Sequence, residues 1–266
     1  MMNILRSELY KLYRARIFWI LFAIAGIFSL FITGLLFLEE KGLLIEQVTI
    51  ETTGYDQSLN GFNVLIESLT QPDTFFTYLS AGVLSSFFIA SEYTNGTIKN
   101  VVSIGHKRSS IYGAKLLTTW LGTVYLYVFM VVTFALFTAL FFGLGPLPDW
   151  VEWMDALIAF GLTCLLIGVF CVMTTFFAMV MRSAAVALFA TIGFFFVCST
   201  ALDMLASQYT FFADILKYSV FEYMSLVSSD SVHDGSFIGS LMRVTLVTFI
   251  VFTVAGMVLF ERKDIQ

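Results

Sequence analysis

Six long stretches of this chain carry almost no ionisable side chains. They comprise residues 17–38, 74–90, 116–143, 156–181, 183–202 and 238–260. None holds an Asp, Glu, Lys or His, and Arg243 is the only Arg among them. At 1.5 Å per helical residue, each stretch is about long enough to cross a hydrocarbon core of roughly 30 Å. The six runs therefore predict membrane-spanning segments.

The composition and the run lengths favour helices over barrel strands. Charged residues make up 12% of the chain and hydrophobic residues 59%, whereas a soluble domain carries about 25% charged residues. Barrel strands are about 9–11 residues long and alternate in polarity. The runs here span 17–28 residues and are apolar on every side, so each satisfies its own backbone only as a helix. We expect an all-α membrane protein with one transmembrane domain over residues 1–266.

The charges are distributed unevenly between the two sides of the predicted bundle. With six spans, both termini lie on one side. That side would hold eleven of the fourteen Lys and Arg but only four of the nineteen acidic residues. Lys and Arg accumulate in cytoplasmic segments, so the termini are expected to face the cytoplasm.

Residues 1–16 have the pattern of a short amphipathic helix. Leu5, Leu9 and Leu12 recur at helical spacing. The basic residues around them are Arg6, Lys11, Arg14 and Arg16. Such a helix would lie in the membrane interface with its basic side chains near anionic headgroups. The alternative is an ordinary basic flank that happens to be helical.

The segment 91–116, between the second and third spans, predicts a second short helix. Asn95 and Gly96 form a turn signal. One face of the following helix would consist of Ile98, Val101 and Val102. A short amphipathic helix held between two spans suits docking against a cytoplasmic partner. The alternative is a loop that only joins the two spans.

Two larger segments lie on the opposite side. Segment 39–73 is acidic, with Gly54, Gly61 and Pro72 as helix breakers, and is expected to pack at most on the membrane surface. Segment 203–237 is too apolar for an open loop and too polar for a full span. It is therefore predicted to form a short re-entrant or interfacial hairpin.

Several function classes find no support. The chain has no G-x-x-x-x-G-K-[ST] loop for ATP phosphates and no H-E-x-x-H zinc motif. The spans lack the ionisable groups that secondary transporters and intramembrane hydrolases use. The basic residues are dispersed along membrane flanks, which argues against nucleic-acid binding. We expect no cofactor or metal on this chain, and any transport would be driven by a partner.

One stretch resembles a known family. A Glu ends the second span and is followed by Asn-Gly-Thr-Ile-Lys, Gly-x-x-Arg and Ala-Lys, as in the permease subunits of type-2 ABC transporters. The matching residues are Glu92, Asn95, Gly96, Thr97, Lys99, Gly105, Arg108 and Lys115. Glu8 and Lys11, ahead of the basic stretch and the first span, also resemble that family. The layout of the whole chain fits it.

The resemblance implies a pair of permeases that binds two cytoplasmic ATPase subunits, which hold the ATP and Mg²⁺. It implies that residues 1–16 form an interfacial elbow, that the segment between spans two and three is the coupling element, and that re-entrant helices follow span five. The chain is similar to small permeases of the bacterial plasma membrane that export antimicrobial peptides or lipid-like drugs, including bacitracin-type and lantibiotic self-protection systems.

On this interpretation, specific residues couple the permease to its ATPase. The coupling set comprises Glu92, Asn95, Gly96, Thr97, Ile98, Lys99, Val101, Val102 and Arg108. Within it, Glu92, Lys99 and Arg108 would make electrostatic contacts, Gly96 would supply the turn, and the apolar residues would form the docking face. The alternative function is a non-transporting membrane subunit, such as a sensor or an assembly partner.

Overall fold

The computed structural model of the chain describes residues 2–42, 59–70, 74–97, 107–209, 211, 219–220, 223 and 235–262. Within these ranges the chain forms helices and no strand. The helices are α1 (Met2–Arg14), α2 (Arg16–Glu40), α3 (Gly61–Thr70), α4 (Thr74–Thr94), α5 (Arg108–Phe142), α6 (Trp150–Met181), α7 (Ala184–Ala206) and α8 (Gly235–Arg262). All except α1 and α3 are long and apolar enough to cross a membrane, which gives six candidate spans. The predicted all-α, six-span architecture is confirmed.

Two spans extend well beyond their apolar runs. α5 begins at Arg108 rather than at residue 116, and α6 begins at Trp150 rather than at residue 156. The α5 helix of 35 residues is about 52 Å long, so part of it projects beyond a hydrocarbon core of roughly 30 Å. The extension places Lys115 inside the helix instead of ahead of it.

α1 is joined to α2 by a sharp bend and lies across the first half of α5. Ala15 is extended between the two helices, with φ −68° and ψ 127°. The Trp19 indole donates a hydrogen bond of 2.8 Å to the carbonyl of Tyr13 and so caps the end of α1. Leu12 rests on Gly122 of α5, where a Cβ atom would lie 2.5 Å from the Leu12 Cδ2. α1 and α5 therefore cross in close contact at this point.

α6 is the central helix, and α7 and α8 lie at the periphery. α6 packs against α3, α4, α5, α7 and α8. By contrast, α7 exposes large apolar side chains such as Phe189 and Val197, and α8 exposes Leu246 and Val247. Apolar surface of this extent belongs in lipid or against another membrane helix.

The segment 39–73, which we expected to be an external segment with Gly61 among its helix breakers, contains the helix α3. Gly61 is its first residue, and a Cβ there would lie 2.6 Å from the Cβ of Ala139 on α5. The backbone N–H groups of Gly61 and Phe62 donate to the carbonyls of Gly143 and Leu144 at 3.0 and 3.1 Å. Gly61 thus begins a helix and makes a close helix contact, and the helix that follows it was not predicted. α3 packs against both α5 and α6.

Two predicted features fall mostly outside the described residues. The short helix after Gly96 would occupy residues that lie outside them. Most of segment 203–237 lies outside them as well. Of that segment, Val220 and Tyr223 are buried in the apolar core around α6, and the Tyr223 ring lies 5.3 Å from that of Phe237. The re-entrant arrangement stays a prediction.

Candidate coupling site: a buried ion cluster

Four charged side chains from three helices meet at one end of the bundle. Lys115 Nζ of α5 donates to Glu8 Oε2 of α1 at 2.9 Å and also to Glu92 Oε2 of α4. Lys11 Nζ, one turn beyond Glu8, donates to Glu8 Oε1 at 2.6 Å and to Glu92 Oε1 at 3.2 Å. We call these four residues the ion cluster, and the end of the bundle that holds it the cluster end.

Three of the four side chains in the ion cluster are buried, and the fourth is partly exposed. Lys115 and Glu8 are 0% exposed and Glu92 is 6% exposed, whereas Lys11 is partly exposed. The Lys115 ammonium also lies 5.8 Å from the centre of the Phe88 ring. Buried charges are costly unless they are paired and hydrogen-bonded. Two ammonium groups and two carboxylates compensate one another, so the arrangement is electrically balanced.

Local sequence explains why these groups are buried. On α1, Glu8 lies between Ile4 and Leu12 at four-residue spacing, and all three side chains are buried. On α5, Ala114 and Leu116 flank Lys115 and are buried too, because α1 and α4 both cover this part of α5. The charged groups are therefore drawn into the contact by the apolar residues on either side of them.

The ion cluster shifts the pKa values of Glu8 and Lys11, its two members on α1. Burial alone would raise the pKa of Glu8, but the ammonium of Lys115 and the hydrogen bond from Lys11 outweigh it and hold the pKa below its ordinary value of 4.5. Burial alone would lower the pKa of Lys11, but the hydrogen bond that Lys11 donates to Glu8 and the charge of Glu92 raise it above 10.5. Both residues are held in their charged forms.

Further contacts tie the same end of the bundle together. Tyr93, next to Glu92, donates its hydroxyl to Met179 Sδ of α6 at 3.0 Å. The guanidinium of Arg182, at the end of α6, lies 5.9 Å from the centre of the Tyr93 ring. Arg108, the first residue of α5, donates to the carbonyl of Phe260 near the end of α8 at 3.2 Å. The end of α4 and the start of α5 are thereby anchored to α6 and α8.

The structure places the predicted coupling residues in three different settings. We expected Glu92 to make a direct electrostatic contact with the ATPase. In the structure its carboxylate is buried in the ion cluster, where it joins α4 to α1 and α5. Asn95 is exposed, Gly96 has the positive φ of 68° that suits the predicted turn, and Thr97 donates to the Glu92 carbonyl at 3.3 Å. Outside the described residues lie Ile98, Lys99, Val101 and Val102.

The four predicted elbow residues also separate. Arg6, Arg14 and Arg16 are exposed, and the Arg14 guanidinium lies 5.5 Å from the centre of the Tyr10 ring. Lys11 instead turns inward to the ion cluster. α1 is thus helical and amphipathic, with three cations on its outer side or at its junction with α2.

Sequence reasoning did not anticipate the buried charges. We expected no buried counter-charge within the spans, and Glu8, Glu92 and Lys115 lie outside the predicted runs, but we did not expect them to be buried together. The available signal was Glu8 between two apolar residues at helical spacing, and Lys115 directly beside a long apolar run. No group of three or more His, Cys, Asp and Glu side chains that could hold a metal ion occurs in the part of the chain described above.

Comparison with known proteins addresses the identity of this bundle. A comparison with curated proteins gives no match. The family model described as ABC-2 family transporter protein matches residues 2–265, nearly the whole chain. Members of this family are the membrane-spanning components of ABC transporters, and a partner subunit hydrolyses the ATP. The chain belongs to the ABC-2 transporter family and is a multi-pass membrane permease subunit without an ATPase site of its own.

Proposed function

We propose that this permease subunit exports amphipathic or hydrophobic compounds, such as antimicrobial peptides or lipid-like drugs, from a bacterial cell. It would lie in the plasma membrane with the cluster end and both termini in the cytoplasm. It would pair with a second permease, either a copy of itself or a sister subunit. ATP and Mg²⁺ would bind to the separate ATPase subunits.

The observation that carries this proposal is the ion cluster, which joins α1, α4 and α5 at one end of the bundle. The segment between α4 and α5 leaves from that end, and it is the segment that we expect to meet the ATPase. A movement imposed on this segment when ATP closes the ATPase dimer would act on α4 and α5 together, because Lys115 holds both. α1 would follow through Glu8. ATP bound to the ATPase subunits would in this way shift the permease from one conformation to another.

The charge of this end supports the proposed orientation. Arg6, Arg14 and Arg16 are exposed on or beside α1, where anionic lipid headgroups attract basic side chains. Most of the chain's Lys and Arg belong to the same side, as the positive-inside rule requires of a cytoplasmic side. Membrane lipid is therefore an expected partner of α1.

An apolar groove in the bundle supports the proposal of an apolar substrate. A groove of about 340 Å³ opens between α5, α6 and α8. Its lining residues are Trp120, Leu165, Val169, Met242, Thr245, Leu246 and Phe249. No charged side chain contributes to it, so it suits aliphatic and aromatic groups.

The direct test is ATP-dependent uptake of a fluorescent amphipathic peptide into inside-out vesicles that contain this chain and its ATPase. We expect uptake to require ATP and to survive ionophores that collapse ion gradients. The double variant Ile98→Asp/Val102→Asp should abolish uptake by removing the docking face. A matched control, Val48→Asp/Ile50→Asp in the segment between α2 and α3, should transport normally.

Two outcomes would overturn the proposal. Uptake abolished by ionophores would indicate a secondary transporter. No ATP-dependent movement of any amphipathic probe, with the ATPase bound and active, would favour the non-transporting membrane subunit.

A further inference from the structure

α3 extends much deeper into the bundle than a surface loop would. Its first residue, Gly61, lies against Ala139 near the end of α5. Farther along α3, the Ser68 carbonyl accepts a hydrogen bond of 3.1 Å from the Tyr127 hydroxyl. Tyr127 lies about 24 Å along α5 from Gly143 and about 16 Å from Leu116, at 1.5 Å per residue. The Tyr127 side chain spans part of this distance, and Ser68 lies about 10 Å along α3 from Gly61, so the end of α3 lies beside the apolar length of α5.

One face of α3 is in contact with the bundle. Gly61 touches Ala139, Val64 is 0% exposed, and Ser68 meets Tyr127. Residues separated by three, four and seven positions share one face of a helix. This is the inner face of α3, formed by Gly61, Val64 and Ser68.

A second face of α3, about a third of a turn from the inner face, is polar. Asn63, Glu67 and Thr70 follow one another at the same helical spacing, and we call them the polar face of α3. The Thr70 hydroxyl is satisfied by carbonyls of its own helix at 3.1 Å. In the described residues, no hydrogen-bond donor or cation pairs with the partly buried Glu67 carboxylate.

A carboxylate at this depth does not face lipid. Ionisable residues at membrane depth are rare, face the bundle interior or a water-filled cavity, and mark substrate or ion pathways. Two basic residues of this side, Lys41 and Arg243, lie within the described residues, and their side chains are engaged elsewhere. Lys41 lies 5.5 Å from the centre of the Phe37 ring, and Arg243 donates to the Gly239 carbonyl on its own helix at 3.0 Å.

We propose that the polar face of α3 lines a water-filled opening at the end of the bundle opposite the ion cluster, and that Glu67 binds the cationic group of an amphipathic substrate there. This deepens the proposed export function and rests on it for the identity of the ligand as a substrate. The charge of this side supports a cation, because it carries fifteen of the chain's nineteen acidic residues but only three of its fourteen Lys and Arg. Such a field concentrates cations at an opening.

Cysteine labelling tests the opening itself. Cys164, Cys171 and Cys198 are first replaced by Ser, and Asn63→Cys, Glu67→Cys or Val64→Cys is then introduced. Intact cells are treated with membrane-impermeant methanethiosulfonates, one carrying a trimethylammonium group and one a sulfonate. We expect Asn63→Cys and Glu67→Cys to react from outside and Val64→Cys, on the inner face, to stay unlabelled. Absence of labelling at both polar positions would overturn the opening.

The charge preference tests the role of Glu67. In Asn63→Cys, the ratio of the cationic to the anionic labelling rate should fall roughly tenfold when Glu67→Gln is added, since one unit charge at about 6 Å in water changes each rate by about 0.7 kcal/mol in opposite directions. Glu67→Asp should keep most of the preference. An unchanged ratio in Glu67→Gln would contradict the proposal.

A matched pair of lipophilic ions tests binding. In proteoliposomes, tetraphenylphosphonium should protect Asn63→Cys from a neutral maleimide, and tetraphenylborate, of the same shape and opposite charge, should not. Glu67→Gln should remove the protection. Equal protection by both ions, or protection that survives Glu67→Gln, would overturn the cationic site. None of these measurements needs the ATPase, so their failure is distinguishable from failure of the export function.

Discussion

The ammonium of Lys115 lies 2.9 Å from the carboxylate of Glu8, and 107 positions of sequence separate the two residues. The same ammonium contacts Glu92. One buried side chain thus connects α1, α4 and α5. On the function that we propose, this is the part of the bundle through which movement of the ATPase would reach the spans.

Removing the central cation should destabilise the fold strongly. Lys115→Met leaves two carboxylates in a buried site with only Lys11 to compensate them. Breaking a buried ion pair from one side costs about 3–5 kcal/mol, so we expect a large drop in the melting temperature of the purified protein in mild detergent. Lys41→Met, at an exposed lysine on the opposite side, is the matched control and should melt like the wild type.

A double variant checks that the loss comes from the pairing. Glu8→Gln combined with Lys115→Met should cost clearly less than the sum of the two single changes. In each single variant one charge of the pair stays buried without its partner, whereas the double variant removes both charges. Strict additivity of the two single effects would contradict the contact.

The ion cluster also predicts how stability depends on pH. Because the pKa of Glu8 is lowered from 4.5, its stabilising contribution is fully present above pH 4.5 and is lost as the pH falls through the lower folded value. The pKa of Lys11 is raised from 10.5, so its contribution is present below pH 10.5 and is lost as the pH rises through the higher folded value. Melting temperatures measured across pH should show a smaller acid-side loss in Glu8→Gln than in the wild type.

The packing of α3 can be tested with one methyl group. In Gly61→Ala the new Cβ would lie 2.6 Å from the Ala139 Cβ and 3.1 Å from the Ala139 backbone, which cannot move away as a flexible side chain would. Overpacking of this kind costs about 1–3 kcal/mol. Gly34→Ala, where a Cβ meets nothing within 4 Å, should be neutral or slightly stabilising. Equal melting temperatures for the two variants would contradict the close contact.

One hydrogen bond that holds the far end of α3 is easily removed. Tyr127→Phe deletes the donor to the Ser68 carbonyl and leaves the ring in place, at an expected cost of about 1 kcal/mol. Tyr125→Phe, two residues earlier and 60% exposed, should have no measurable effect. Hydrogen exchange at the end of α3 should rise in the first variant only; unchanged exchange there would argue against the contact.

The spans were predictable from sequence because the membrane penalises charge along their whole length. A run such as 116–143 has no other low-energy arrangement than a helix in lipid. The helix ends were less predictable. Arg108 and Lys115 are polar, yet they continue α5 because other helices pack around them: Lys115 pairs with two carboxylates and Arg108 donates to the Phe260 carbonyl.

The ion cluster was beyond sequence reasoning because its partners are far apart in the chain. Helical spacing shows that Glu8 shares a face with Ile4 and Leu12, but not that this face meets α5. That contact depends on the bend at Ala15 and on the absence of a side chain at Gly122. Neither produces a periodic signal.

α3 was missed for a different reason. It has ten residues, too few for a span, and it begins with a glycine that is typical of a helix break. Its pattern was nevertheless readable: Asn63, Glu67 and Thr70 alternate with apolar residues at helical spacing. Sequence reasoning gave more weight to the glycine than to the pattern that follows it.

The central claim is that this chain is the membrane half of a transporter driven by a separate ATPase. The most direct measurement is purification of the tagged chain from its own cells in mild detergent, with mass spectrometry of the proteins that accompany it. The account predicts a P-loop ATPase in equal amount with the chain, and its loss from Ile98→Asp/Val102→Asp. A chain that purifies without an ATPase, under conditions that keep a control ABC transporter intact, would contradict it.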